Sequence, residues 1–456
     1  MSGNQLRVLV IGAGTGGLCL AHGLRRAGID VQVYERDRTR TGGLHGFRVG
    51  IDPDGSRALH ACLPPELFDT FVATCALPAQ RFNFLSEKLG EVLALDFDDP
   101  AAHDPVDSEK SVSRMTLRQL LLTGLEDIVH FDKTFTRFER DERTGTVTAF
   151  FADGTSATGD VLVGADGTNS PVRRQYLPQA ELEDSGLIGI TGKVALTEET
   201  RRLLPPKVFR SVSMVLAPKG FSCVLHVMEF PWGADGRPRD GIGRTETELI
   251  ANWPGLHYDN TRDYVGYGLG AAAARLPADV LDLRGPDLVN LVRERTAGWH
   301  PNLRRLVELT EPGTSFPLNI RTSVPLAQWP TTTVTLIGDA IHTMTPGRGV
   351  GANTALRDAR LLCANLIAVR DGRTTLLAAI RDYETQMIDY GFDAVLTSRK
   401  QFSADDPIHK PVVGRLVLAG MRTGMRVVNH LPPVKRRMAE SEQRYRGKDR
   451  EPATAA

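Results

Sequence analysis

RVLVIGAGTGGLCLAHGLRRAGIDVQVYERD, Arg7 to Asp37, is the stretch whose reading decides the fold. An apolar run, Val8 to Ile11, leads into Gly12, Gly14 and Gly17 at G-x-G-x-x-G spacing. A helical pattern follows, with Leu18, Ala21 and Leu24 on one face and Gly28 as its stop. A second apolar run, Val31 to Tyr34, ends at Glu35. Strand, glycine turn, helix and strand make a βαβ unit. Gly12 makes the tight turn, Gly14 lets the backbone approach a pyrophosphate, and Gly17 lets the helix pack close to the strand. The helix N-terminus, opening at Thr15, offers unpaired N–H groups to phosphates. Glu35, roughly 20 residues on, can accept hydrogen bonds from an adenosine ribose. Its charge argues against a 2′-phosphate in this site, because two anions repel. The motif alone does not separate FAD from NAD.

The rest of the chain sets the context. Its 456 residues suffice for two or three domains and a large core. Lys plus Arg (55) equals Asp plus Glu (55), so no global field favours nucleic acid. Cys19, Cys62, Cys75, Cys223 and Cys363 are scattered, with no C-x-x-C and no metal-ligand spacing. They read as reduced packing thiols, which fits a cytoplasmic protein. The N-terminus shows no charged-then-apolar signal segment, and no stretch approaches the length of a membrane span. The tail after Lys448 is short and polar, and is expected to fray.

Residues 39–60 begin as a Gly-rich loop and become helical after Asp54. Arg48 reads either as a cation near cofactor phosphates or as a solvated loop arginine. A helix is expected over Pro65 to Thr74, with strand-like runs at Phe82–Leu85 and Val92–Phe97. Val112 to Leu125 reads as a loop entering an amphipathic helix, with Arg114 at its start. From Val129 the period changes to two, which predicts a small antiparallel sheet. Next comes a buried strand, Val161 to Val163, ending in Gly164-Ala165-Asp166-Gly167. That turn puts a carboxylate at a strand's carboxyl end, where open α/β sheets bind ligands. Alternating runs between 185 and 325 predict a separate substrate domain of long strands, and Phe230–Gly243 reads as an exposed loop. Pro317–Val324 reads as a strand returning to the first domain.

A second stretch repeats the logic of the first: TTTVTLIGDAIHTMTPGRGVGANTALRDARLLCANLIA, Thr331 to Ala368. A strand runs into Gly338-Asp339, a loop carries Pro346, Gly347, Gly349 and Gly351, and a helix follows from about Ala352. Asp339 is placed to bind a hydroxyl. The amides near Ala352 and Asn353 can stabilise negative charge at a second helix N-terminus. Thr374–Arg399 and Gly414–Val428 read as helices. Arg415, Arg422 and Arg426 make the latter a basic amphipathic helix, either docked with a solvated face or lying on a membrane surface.

Three motifs stand in order: Gly12-x-Gly14-x-x-Gly17 with Glu35, Gly164-Ala165-Asp166-Gly167, and Gly338-Asp339 with Pro346. This order resembles the FAD-dependent aromatic hydroxylases, the p-hydroxybenzoate hydroxylase-like flavoproteins, over about residues 5 to 400. The resemblance implies an α/β fold with a Rossmann-like FAD-binding domain (residues 1–180 and 325–400). It further implies an inserted β-sheet substrate domain (181–324) and C-terminal helices (401–456). It implies that Glu35 binds the adenosine ribose, with Arg36 beside it. Arg48 and Arg114 would contact the phosphate and ribityl side. Asp166 would serve cofactor and nicotinamide, Asp339 the ribityl chain, and Gly351, Ala352 and Asn353 the flavin edge beside Pro346. Arg348 departs from the family pattern and could alter access to the flavin face.

In this family, reduced nicotinamide gives hydride to FAD, and the reduced flavin with O₂ forms a C4a-hydroperoxide that oxygenates the substrate. The resemblance therefore implies an NAD(P)H-using monooxygenase acting on a large apolar natural product of polyketide type. A phenol-deprotonating base is not evident; His226, His257, His300 and His342 are candidates by type only, and His342, inside the Gly-Asp motif, reads as structural. An alternative resemblance is to the actinomycete dialkyldecalin synthases, which need bound FAD but close a decalin by redox-neutral [4+2] cycloaddition. The Arg-, Ala- and Gly-rich style suits that source.

Overall fold

The computed structural model describes residues 6–40, 48–97, 104–231, 263–401, 404, 406–410 and 412–447. His257, nearly all of the Phe230–Gly243 loop, most of the Gly-rich loop after Arg40 and the tail after Lys448 lie outside these residues.

The chain begins β1 (Arg7–Ile11), α1 (Thr15–Arg26), β2 (Asp30–Tyr34), β3 (Arg48–Ile51), α2 (Pro53–Cys62), α3 (Pro65–Thr74), β4 (Arg81–Ser86), β5 (Glu91–Asp96), β6 (Lys110–Ser113) and α4 (Arg114–Leu122). It continues through β7 (Val129–His130), β8 (Phe135–Asp141), β9 (Thr146–Phe151), β10 (Ser156–Gly159), β11 (Val161–Gly164), α5 (Pro171–Tyr176), β12 (Leu182–Ala195), α6 (Glu198–Leu203), β13 (Ser211–Leu216), β14 (Ser222–Met228) and β15 (Tyr264–Ala272). The last part holds α7 (Gly285–Arg295), α8 (Pro301–Glu308), β16 (Phe316–Ser323), β17 (Val334–Leu336), α9 (Asp339–His342), α10 (Gly351–Arg370), α11 (Leu376–Gln401), α12 (Val413–Asn429) and α13 (Pro432–Tyr445).

Five parallel strands in the order β17-β11-β1-β2-β7 form the first sheet. Val8, Leu9, Val10 and Val161–Val163 are all at most 1% exposed, because α1 packs on this sheet from one side and the small antiparallel sheet packs against β1 and β11. Gly12 (φ +110°) turns the chain out of β1. A Cβ on it would meet the Ala165 carbonyl oxygen at 2.4 Å, so the two diagnostic turns touch. A Cβ on Gly17 would meet the Gly12 oxygen at 2.4 Å, which explains why only hydrogen is tolerated there. Strands β10-β9-β8 form the small antiparallel sheet that the change of period predicts.

The third sheet has seven strands, β16-β12-β15-β14-β13-β4-β5. Alternation sorts its side chains. Val265, Tyr267 and Leu269 pack under α7 and α8, while Tyr264 and Met228 join the core of the first domain. Here the domain boundaries expected from sequence need correcting. Strands β4 and β5 belong to this sheet, since β4 pairs with β13 in parallel from Arg81↔Ser211 to Ser86↔Leu216. Two short apolar runs between helices carry no mark of the partner they will pair with, so local pattern could not assign them. The expected return strand, β16, is an edge of the same sheet on β12. It reaches the first domain only at its end, where Ser323 N donates to Thr343 O at 2.8 Å.

Three scattered cysteines converge. A Cβ on Gly23 of α1 would meet Cys363 Sγ at 2.6 Å and Cys62 Sγ at 3.1 Å, and Cys19 Sγ lies 4.0 Å from Ala58 O. All five cysteines are buried and free. The helices α12 and α13 pack their Met425, Val428 and Ala439 over Leu93 and Leu95 of β5, so α12 is docked. Among the described residues, no helix is long and apolar enough to cross a membrane.

Candidate cofactor and active site

Helices α1 and α10 lie against each other. A Cβ on Gly16 would sit 3.1 Å from Ala355 O. Both helices begin without a side-chain cap and without an acid in the first turn. Their N-terminal N–H groups therefore lie near one another without a side-chain cap, an arrangement suited to anions. Gly14 is exposed there, and Thr15 is half-buried. A Cβ on Gly14 would meet nothing closer than Ala165 O at 3.9 Å, so this glycine leaves room for a ligand rather than for its own fold.

At one end of the cleft, Glu35 is 7% exposed and accepts from Ala13 N (2.7 Å) and Asp37 N (2.9 Å). Arg118 Nη2 stands 2.8 Å from Asp37 Oδ2 and 3.9 Å from Glu35 Oε2. The following Arg36 is exposed. At the other end is Asp339, open to water yet surrounded closely enough that burial raises its carboxyl above the usual range, against the charges of His342 and Arg114. Arg114 and Arg118 sit one turn apart on α4. Both cations stand on α4, Arg118 beside Glu35 and Arg114 near enough for its charge to act on Asp339. Sequence reading singles out Arg114 and misses Arg118; the i, i+4 spacing is the available signal.

Asp339 is held by a buried network. Gly338 adopts φ +62° and donates its N–H to Asp358 Oδ2 at 2.7 Å. The same oxygen lies 2.6 Å from His342 Nε2, and Tyr390 Oη donates to Asp358 Oδ1 at 2.5 Å. Burial lowers the His342 pKa, but the charge and hydrogen bond of Asp358 outweigh it and the net shift is upward. His342 and Asp358 are fully buried, so this histidine pins the Gly-Asp turn. The sequence does not announce Asp358; its one signal is an acid about two turns into α10 on an otherwise apolar face.

Gly351 faces Asp339, since a Cβ on it would stand 4.0 Å from Oδ1. Ala352 is half-buried at the start of α10. Asn353 is 2% exposed and spends its side chain on β3, donating to Gly50 O (2.9 Å) and accepting from Asp52 N (3.1 Å). Only its backbone amide is left for the cleft. Pro346 is exposed and opens a short turn. Arg348, which departs from the family pattern, is engaged by α13. It donates to Glu442 Oε2 at 2.8 Å and stacks 3.6 Å from the Tyr445 ring centroid, which fastens α13 to the Pro346 turn.

Asp166 is half-buried and caps α5, accepting from Val172 N at 3.2 Å. Burial raises its carboxyl, against hydrogen bonds from Ser170 and Val172. Its Oδ1 is buried without a partner among the described residues, an acceptor awaiting a donor. Arg173, not foreseen from sequence, ties this turn to α9 through Ala340 O (2.8 Å) and Thr168 O (2.9 Å). Arg48 lies beside the start of α10, with Nε donating to Ser111 Oγ at 3.0 Å. Burial, then the nearby Arg446 charge, lower its pKa to about 10. Of the candidate histidines, His300 caps α8 and His342 is structural, while His226 is held neutral by burial and by Arg48.

This donor set fits an extended dinucleotide: two uncapped helix N-termini, an acid for a ribose, a second acid with an orphaned oxygen, and a cation at each end. Known proteins agree. A family model described as an FAD binding domain matches residues 316–386, and one described as an NAD(P)-binding Rossmann-like domain matches residues 10–70. A dual O-methyltransferase/FAD-dependent monooxygenase of Cercospora beticola is 31% identical over 409 residues, 85% of this chain and 44% of that relative. The chain therefore spans under half of that relative's length. An FAD-dependent monooxygenase of Emericella nidulans is 30% identical over 379 residues, 80% of this chain and 87% of the relative. A crystal structure described as an FAD-containing monooxygenase from Photorhabdus luminescens shares 34% identity at TM-score 0.73, covering 87% of this chain and 97% of that one. The chain belongs to the FAD-dependent monooxygenases of the aromatic hydroxylase type.

Proposed function

We infer that this protein oxygenates an organic natural product of polyketide type, using NAD(P)H and O₂. The observation that carries the reading is α4, which sets Arg118 beside the acid Glu35 and brings the Arg114 charge to bear on Asp339, near two helix N-termini that lack side-chain caps. FAD supplies hydride acceptance and oxygen activation when bound. The chain's own part is to hold, orient and neutralise. Glu35 would accept the ribose hydroxyls, and the α1 N–H groups with Arg114 would neutralise the pyrophosphate. Asp339 and Asp166 Oδ1 would accept hydroxyl protons. The amides of Ala352 and Asn353 would stabilise negative charge at the ring edge. The seven-stranded sheet would close the other side and exclude water. The Cercospora relative and the Emericella relative both come from fungi and carry the monooxygenase name, which favours oxygenation over the redox-neutral cyclisation.

The test mixes the yellow protein with NADPH or NADH and follows flavin bleaching and oxygen uptake. Substrate-stimulated uptake is expected. A product isomeric with its substrate, formed without bleaching, would overturn the reading. Asp339→Ala is expected to lower FAD affinity by about 100-fold through loss of a charge-assisted bond; full occupancy would remove its assigned role.

A further inference from the structure

Helix α12 is apolar on the side that faces water. Twelve large apolar side chains stand exposed among the described residues, and seven of them lie between Val412 and Met438. On α12, Val413, Leu416, Gly420, Gly424 and Val427 follow one another at steps of three or four, so they share one face. Leu416 is 73% exposed and Val427 56%, while a Cβ on Gly420 or Gly424 would meet nothing within 4 Å. The opposite face is already used: Leu418 is buried, Met425 and Val428 pack on β5, and Asn429 Oδ1 accepts from Ala94 N at 3.1 Å. A helix docked by one apolar face ordinarily shows a polar one to water. This one shows a second apolar stripe, and such a concentration marks an interaction site.

The charges beside the stripe select the partner. From Pro407 to Ala439 the chain has seven Lys or Arg and no Asp or Glu, although the whole chain is balanced at 55 of each. Arg422 is spent on Glu87, and Lys435 lies 3.9 Å from Asp96. The other five, Lys410, Arg415, Arg426, Arg436 and Arg437, are exposed, and none has an acidic partner among the described residues. Arg415 and Arg426 stand about three turns apart, so both lie along one edge of the stripe. A second copy of the chain would set these cations against themselves, with no acid on α12 to answer them. An anionic lipid surface meets both features at once: its charge attracts the cations and its hydrocarbon takes the stripe.

We propose that α12 lies along the surface of an anionic lipid bilayer without crossing it, with Val413, Leu416 and Val427 entering the headgroup boundary and Arg415 and Arg426 at the lipid phosphates. The long arginine stems let each guanidinium reach a phosphate while the helix sinks beside it. The exposed Val434, Arg436, Arg437 and Met438 of α13 would add to the contact. Attachment of this kind is peripheral, and salt weakens it. Because α12 packs on β5, it would hold the large sheet close to the bilayer, where apolar small molecules concentrate. No part of this uses the flavin, so it stands apart from the oxygenase reading.

The test uses the FAD-loaded full chain and two kinds of vesicle, phosphatidylcholine alone and phosphatidylcholine with phosphatidylserine in equal parts. Binding is read by co-sedimentation, with flavin absorbance as the marker. The anionic vesicles are expected to hold the protein at least about tenfold tighter than the neutral ones. Leu416→Ser with Val427→Ser, which removes apolar surface and no charge, should weaken binding at least about tenfold. Arg415→Gln with Arg426→Gln should do the same and should reduce the salt dependence. All four side chains are exposed, so the urea midpoint and the flavin spectrum should stay unchanged. Absence of binding, equal binding to both vesicles, or anionic binding that survives the double serine variant would overturn the proposal. So would a dimer in sedimentation velocity that the double serine variant dissociates, which would assign the face to a second copy. NADPH-driven oxygen uptake is scored separately, so its failure beside intact vesicle binding would count against the oxygenase reading alone.

Discussion

The two sides of the cleft are built by opposite logic. On the cofactor side each wall is a contiguous segment: residues 12–17 with Glu35, residues 164–167, and residues 338–353. On the side of the large sheet, Arg48, Ser111, His226 and Arg446 come from four distant places, and the sheet itself recruits β4 and β5 from between α3 and α4. A dinucleotide has constant chemistry, so backbone N–H groups at helix N-termini can serve it and the binding signature stays local. An organic substrate is met by side chains, and tertiary packing alone decides which ones meet.

The sharpest way to break this contrast is through the buried network under Asp339. Asp358→Ala would strand Gly338 N, His342 and Tyr390 together, and is expected to cost about 3–5 kcal/mol. Urea unfolding of the FAD-free protein measures it; a loss under about 1 kcal/mol would mean that the turn holds itself. The next test sets Gly12 against Gly14. Gly12→Ala forces a side chain at φ +110° into the Ala165 carbonyl, and should destabilise the apoprotein by about 3 kcal/mol. Gly14→Ala meets no protein atom closer than 3.9 Å and should leave apoprotein stability alone while weakening FAD about tenfold. Equal effects on apoprotein stability would erase the distinction between a glycine for the fold and a glycine for the ligand.

A smaller effect separates the sides by pH. Asp52 has its carboxyl raised from the ordinary 3.8 to about 7 by burial. Between those values the folded protein holds more protons than the unfolded chain, so this group's contribution falls as pH rises through about 4 to 7. Asp52→Asn keeps the acceptor for Gly55 N and should flatten that limb between about pH 4 and 7. An unchanged slope would show Asp52 to be ionised in the fold. The smallest effect belongs to Arg348→Ala, which removes one ion pair and one ring contact and should cost about 1 kcal/mol. Its readout is faster proteolysis after α12; equal cleavage rates would mean that α13 is held by its apolar contacts alone.

Much of the cofactor side is legible without coordinates. The period of 3.6 in Leu18, Ala21 and Leu24 and the stop at Gly28 mark α1, whose observed span is Thr15–Arg26. The turn glycines are legible because only backbone geometry decides them. Arg118, Arg173 and Asp358 are not, because an arginine on a helix or an acid in an apolar row looks the same whether solvated or buried. The contact of Arg348 is hidden for the same reason: its partner lies 94 residues away on α13.

By itself the sequence determined the βαβ unit, the two helix N-termini aimed at a dinucleotide and the order of the three turns, since each depends on residues within a few positions of one another. Only the tertiary structure decided that Cys19, Cys62 and Cys363 share one core, that β4 and β5 cross into the large sheet, and that Arg446 reaches Arg48. Those outcomes are set by burial and strand pairing between segments far apart in the chain, and neither leaves a period or a spacing to be read.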